Sequence, residues 1–162
     1  MLLEKLRAGT MEVAIVGLPL RVRNHEFQSF PLTTEKLYAV LAERHPLARQ
    51  RVVSLGELRD NPFLLLRDGH CFREAAVAAC NRAMLNPNVV FESGQFSSIL
   101  SMVGAGLGIS IVPAMAIEKR GDCSFIPIQD DRAVRTIGAV TLNGRSLPRV
   151  CKAFLAHAGA RS

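Results

Sequence analysis

The feature that most restricts what this chain can fold into is the alternation of short apolar runs with helix-patterned segments along almost its whole length. A run of four to eight apolar residues between turn signals suits a strand buried on both faces, and helices must then cover those faces. Leu2 to Ala8 reads as a helix ended by Gly9, and Glu12 to Leu18, bounded by Pro19, as a buried strand. Strands are expected at Lys36 to Ala42, Phe63 to Leu66, Val89 to Glu92, Gly108 to Val112, Ser124 to Ile128 and Thr136 to Leu142. Between them fall a short helix capped by Ser54, a helix from about Gly69 to Leu85 stopped by Asn86-Pro87-Asn88, and another at Phe96 to Ala105. A helix with Pro at its first turn is expected at Pro113 to Arg120. The last helix, Leu147 to His157, has Ser146 as N-cap and an apolar face of Leu147, Val150, Cys151, Phe154 and Leu155. The pattern predicts an α/β fold with mainly parallel sheets. The turn-rich Asn24 to Thr34 and the polar Gln129 to Arg135 are the candidate crossings between two lobes, and two lobes imply a ligand-binding cleft.

With 162 residues, 49% of them hydrophobic, and a mean hydropathy of +0.20, the chain can bury a core as one compact domain or two small lobes. No apolar run reaches the length of a membrane span, and Glu4, Lys5 and Arg7 stand where a signal peptide needs an apolar block. A cytoplasmic location is expected. The net charge of +6 would suit a nucleic-acid partner, yet the basic residues are scattered, there is no Trp, and Tyr38 is the single Tyr. A solvated basic surface is therefore preferred to a nucleic-acid grip.

Four cysteines are too few and too irregular for a disulfide-stapled scaffold. Two of them, Cys71 and Cys80, fall on the predicted helix after Gly69. Nine helical residues span about 13.5 Å along the axis and about 180° around it. A disulfide needs Cα atoms within about 7 Å, so joining these thiols requires the helix between them to come apart. Cys71 sits at the helix start, where Asp68 or Cys71 could cap and Glu74 could complete a capping box. The helix end, His70 and Arg73 all favour thiolate over thiol there, with Asp68 opposing. Cys80, among Ala76, Val77, Ala79 and Met84, lacks such neighbours and reads as a buried, slower thiol. That asymmetry suits an attacking and a resolving cysteine, while simple burial of unreactive thiols also accounts for the pattern. Cys123 and Cys151 read as packing residues. A metal site is not expected, since no CxxC or HxxxH spacing occurs and His25, His45 and His157 lie far from the cysteine pair.

The run Gly104-Ala105-Gly106-Leu107-Gly108 follows a predicted helix and leads into a strand, the reverse of a dinucleotide-binding context, and reads as a tight turn. No phosphate-binding loop or nucleophile elbow is present. No enzymatic activity and no cofactor are expected.

Several stretches together resemble the effector-binding domain of LysR-type transcriptional regulators. They are Leu2 to Gly9 followed by Val13-Ala14-Ile15-Val16, His45-Pro46-Leu47, and Met102 to Ile109 leading to Val112-Pro113. Within that family, the run Asp68-Gly69-His70-Cys71-Phe72-Arg73, the Cys71 to Cys80 interval and Arg135 before Thr136-Ile137-Gly138 are similar to the hydrogen-peroxide sensors. The resemblance implies two Rossmann-like lobes of the periplasmic-binding-protein type 2 kind, with lobe I formed by 1–31 and 136–162 and lobe II by 32–135. It also implies that the first strand and helix of the sensing domain, and the DNA-binding helix-turn-helix, lie outside this sequence.

By the same resemblance, peroxide oxidises Cys71 to a sulfenic acid, Cys80 captures it as a disulfide, and the shape change rearranges a homodimer or homotetramer. His70, Arg73 and Arg135 would hold the peroxide and support the thiolate, with Ser97 and Ser98 at the effector pocket. Thr33 and Thr34 are further hydroxyls without an assigned role. DNA would be reached only through the missing domain. A competing reading keeps the family but takes a small organic molecule as effector, with the cysteines structural. A free-standing binding protein or minor enzyme on a similar fold is the third.

Overall fold

The computed structural model describes residues 2–20 and 25–159, and its backbone separates into two compact units. The first draws on both ends of the chain, up to Thr34 and from Thr136 onward; the second runs from Glu35 to Arg135.

In the first unit, helix α1 (Leu2–Arg7) buries Leu6 against Ala14 and Val140 and is closed by Gly9 at φ +69°. A left-handed residue costs glycine least, which is why the helix stops there. Strand β1 (Ala14–Leu18) runs antiparallel to β7 (Val134–Leu142), with Ala14 opposite Val140 and Leu18 opposite Thr136. β7 is flanked on its other side by β2 (Phe27–Ala42). The last helix, α4 (Arg149–His157), follows Pro148 rather than a Ser146 cap. Of its expected apolar face Leu155 is buried, whereas Val150 is 74% exposed and Phe154 is also exposed. Within the described residues that face is therefore not a core face.

The second unit is organised by alternation along its central strand. Leu37, Ala39 and Leu41 of β2 point into one apolar cluster, and Tyr38 and Val40 into another. The same split divides Phe63 and Leu65 from Leu64 and Leu66 in β3 (Pro62–Leu66), and Ile111 from Val112 in β5 (Ser110–Pro113). Side chains of a strand alternate between faces, so continuous apolar runs are what a sheet covered on both sides demands. Helix α2 (Cys71–Arg82) covers one face with Ala76, Ala79 and Cys80; α3 (Phe96–Gly104) covers the other with Ile99, Leu100 and Val103.

Several expectations change. Antiparallel ladders join β1 to β7 and β2 to both β5 and β6 (Cys123–Pro127), whereas β3 pairs in parallel with β4 (Asn88–Ser93), with isolated parallel bridges at Val53–Ile128 and Phe63–Ile109. Alternation of elements in sequence does not fix strand direction when β2 returns from one unit into the other. The turn-rich 24–34 segment is strand from Phe27 onward, and Asn24 lies outside the described residues. Ser54 and Glu57 exchange the hydrogen bonds of a capping box, but turns rather than a helix follow. Pro113 to Arg120 gives one 3-10 turn, Ala114–Ala116, and nothing helical beyond it. The glycine run does turn the chain tightly, with Gly106 at φ +82°.

Candidate functional site

The N-terminus of α2 carries the chemistry. Its N-cap is His70, not Asp68 or Cys71: the backbone there is extended, and the Phe72 N–H donates to His70 Nδ1 at 3.2 Å. The ring therefore carries its proton on Nε2 and accepts at Nδ1, a neutral tautomer. Burial, and then the nearby Arg135 guanidinium, hold its pKa below the ordinary histidine value. His70 thus supplies a cap rather than a positive charge to the thiol beside it.

Cys71 is exposed on the first turn, and all four cysteines are free thiols. The positive charge comes from β7. Arg135 is only 7% exposed and directs Nη1 to Cys71 Sγ at 3.5 Å. Its Nε donates to Glu35 Oε1 at 2.6 Å, its Nη2 lies against Met115 Sδ at 2.6 Å, and its guanidinium stacks over the Phe72 ring at 4.9 Å. A guanidinium held by Glu35, Met115 and Phe72 thus presents one N–H to the Cys71 sulfur.

Arg73 is turned elsewhere. Its Nη1 donates to the Leu66 carbonyl at 3.1 Å and to Glu92 at 2.5 Å, and Asp68 lies 3.6 Å from its Nε. These bonds tie α2 to the ends of β3 and β4, which puts Arg73 in a structural position beside the site. Phe96 packs edge-on to Phe72 at 5.7 Å, bringing the first turn of α3 beside that of α2. Ser97 is exposed and Ser98 half-buried on that turn. Among the described residues no hydrogen bond joins either serine to Cys71, His70 or Arg135. Thr34 pairs with Thr136 through their hydroxyls at 3.2 Å.

Cys80 is 1% exposed in the core beneath α2, and burial pushes its thiol up to about 11. With α2 unbroken from Cys71 to Arg82, the two thiols stand about 13.5 Å apart along the axis. Cys123 is buried, and its Sγ donates to the Leu100 carbonyl at 3.4 Å, a packing role. Cys151 is partly exposed on α4. Among the described residues no three His, Cys, Asp or Glu side chains are placed to hold a metal, and no helix is long and apolar enough to cross a membrane.

Glu35, Met115, Phe72 and Phe96 were not candidates from sequence. Glu35 left no clear trace, because it stands among Thr33, Thr34 and Lys36 in the polar early part of β2. Met115 left none.

The chain belongs to the LysR substrate binding domain family, whose sequence pattern it matches over residues 1–162, and its fold is the periplasmic-binding-protein type 2 fold. It is similar to the transcriptional dual regulator GltC of Bacillus subtilis, 31% identical over 148 residues, covering 90% of this chain and 49% of GltC. It is as similar to the DNA-binding transcriptional dual regulator OxyR of Escherichia coli, 32% identical over 150 residues, covering 90% of this chain and 48% of that protein. A cysteine-substituted OxyR of Corynebacterium glutamicum superimposes with a TM-score of 0.85 at 30% identity, covering 97% of this chain and 50% of that one. The chain spans about half the length of the curated relatives it matches. Those relatives are transcriptional regulators, not enzymes.

Proposed function

We propose that this chain is the redox-sensing part of a LysR-type transcriptional regulator, in which hydrogen peroxide oxidises Cys71. The observation that carries the reading is an exposed Cys71 Sγ held by the buried Arg135 guanidinium, with a second thiol, Cys80, shut in the core of the same helix. The Cys71 thiolate attacks one peroxide oxygen; the O–O bond breaks, and hydroxide leaves and takes a proton as water. The resulting sulfenic acid is attacked by the Cys80 sulfur, forming an S–S bond and releasing the hydroxyl as a second water. The second step requires α2 to open, so oxidation becomes a change of shape. His70 Nε2–H, with Arg135, faces the arriving peroxide, and Arg73, Ser97 and Ser98 border the same helix starts. The signal passes to DNA through a homodimer or homotetramer and a DNA-binding segment of the parent regulator, in the cytoplasm, where the thiols rest reduced.

Peroxide added below one equivalent, followed by disulfide mapping by mass spectrometry, tests this. The expected product is a Cys71 to Cys80 bond, lost in Cys71→Ser and replaced in Cys80→Ser by a trappable sulfenic acid. Thiols reacting no faster than free cysteine would refute it. The second reading, a small organic effector with structural cysteines, draws on the equal similarity to GltC. It predicts an unchanged response in Cys71→Ser.

A further inference from the structure

The Arg135 guanidinium is shared, and the residue that shares it is Glu35. One carboxylate oxygen takes the Arg135 Nε–H at 2.6 Å, and the other takes the Met115 backbone N–H at 2.9 Å. Glu35 is therefore fixed at both ends, between β2 and the 3-10 turn after β5, and its side chain is only 13% exposed. Nη1, the nitrogen left facing outward from this clamp, is the one that reaches Cys71 Sγ.

We infer that Glu35 is the positioning residue of the thiol site: it aims the Arg135 guanidinium at Cys71 while its charge limits how strongly that guanidinium favours the thiolate. The inference rests on the Cys71 reading above but makes a claim of its own. A carboxylate bonded to Nε leaves the two terminal nitrogens in a fixed plane, so the angle of Nη1 to the sulfur is set by Glu35. Its negative charge lies against Nε of the same cation whose Nη1 meets the sulfur, and offsets part of the cation's field there. The other charges nearby are engaged or on the helix itself. Arg73 is paired with Glu92 and Asp68, His70 is neutral at its cap, and Glu74 lies in the first turn of α2.

Two conservative variants separate aim from charge. Glu35→Gln keeps an oxygen that accepts from Nε but removes the charge; Glu35→Asp keeps the charge but draws the carboxylate back by one methylene. Alkylation of Cys71 by iodoacetamide, followed by peptide-resolved mass spectrometry across pH on the 162-residue chain, reads the thiolate directly and needs no peroxide. The midpoint of the Cys71 profile is expected to fall in Glu35→Gln and to rise in Glu35→Asp. Circular dichroism confirms that both variants are folded. Unmoved midpoints, or a fall in Glu35→Gln with none of the opposite shift in Glu35→Asp, would overturn the inference. Failure of peroxide to oxidise Cys71 while the midpoints move as expected would sink the peroxide reading and leave the positioning role standing.

Discussion

If bond formation between Cys71 and Cys80 waits for α2 to open, loosening the helix between them must speed the bond without touching the first oxidation. Ala78→Gly is the perturbation that isolates this. Ala78 lies mid-helix, is neither a buried residue nor part of either apolar cluster, and takes no part in the Arg135 contacts. Glycine in place of alanine inside a helix costs about 1 kcal/mol, chiefly in backbone entropy. That makes the open state roughly fivefold more populated.

The second factor is the thiol itself. Burial pushes Cys80 up to about 11 from an ordinary 9.0, so opening the helix raises its thiolate fraction at neutral pH about 100-fold. The closed helix thus blocks the reaction twice, by distance and by protonation, and both blocks lift together. Rapid-quench mass spectrometry after a peroxide pulse can follow both steps, with a sulfenic-acid trap for the first and disulfide yield for the second. In Ala78→Gly the first rate should match the parent chain and the second should rise about fivefold. Equal disulfide rates in the two proteins would refute opening as the gate.

Two further outcomes follow from the site's surroundings. The folded pKa of His70 lies below its unfolded value, because of burial and then Arg135, so its contribution to stability is full above the ordinary histidine value and is lost as pH falls through the folded one. Thermal melts should weaken over that acidic range, and His70→Ala should flatten the dependence while costing about 1 kcal/mol at neutral pH. Gly108→Ala should destabilise the second unit by about 1–3 kcal/mol, since an added Cβ would meet the Pro62 carbonyl at 2.5 Å and Leu64 Cγ at 3.0 Å where β3 meets the lead-in to β5. Denaturant melts would show it as a lower midpoint.

Some of this arrangement could be read from the chain and some could not, for physical reasons. The doubly buried strands and the helices α2 and α3 were legible because apolar runs, a preceding glycine and the Asn86-Pro87 stop are local signals. The early half of β2 was not, since Pro31, Thr33 and Thr34 look like a turn, and the strand is held by β7 from the opposite end of the sequence. Strand direction was missed for the same reason: partners are chosen by tertiary packing. At the site, Cys71, Cys80 and His70 could be found from one continuous run, and Arg135 through a family likeness. The diversion of Arg73 to Glu92, and the approach of Glu35 and Met115 to Arg135, depend on contacts across 19 to 100 residues that no local pattern encodes.

Under the proposed chemistry, the burial of Cys80 sets a lifetime as well as a geometry. A sulfenic acid exposed at Cys71 must wait for its internal partner, and during that wait any small thiol in solution is a rival. The competition pits the opening frequency of one helix against the concentration of diffusible thiol. A cell rich in such thiols would collect mixed adducts at Cys71, and a depleted one would collect the internal bond. The same helix core that stabilises the resting domain would then let it register the thiol reserve of its surroundings along with the oxidant.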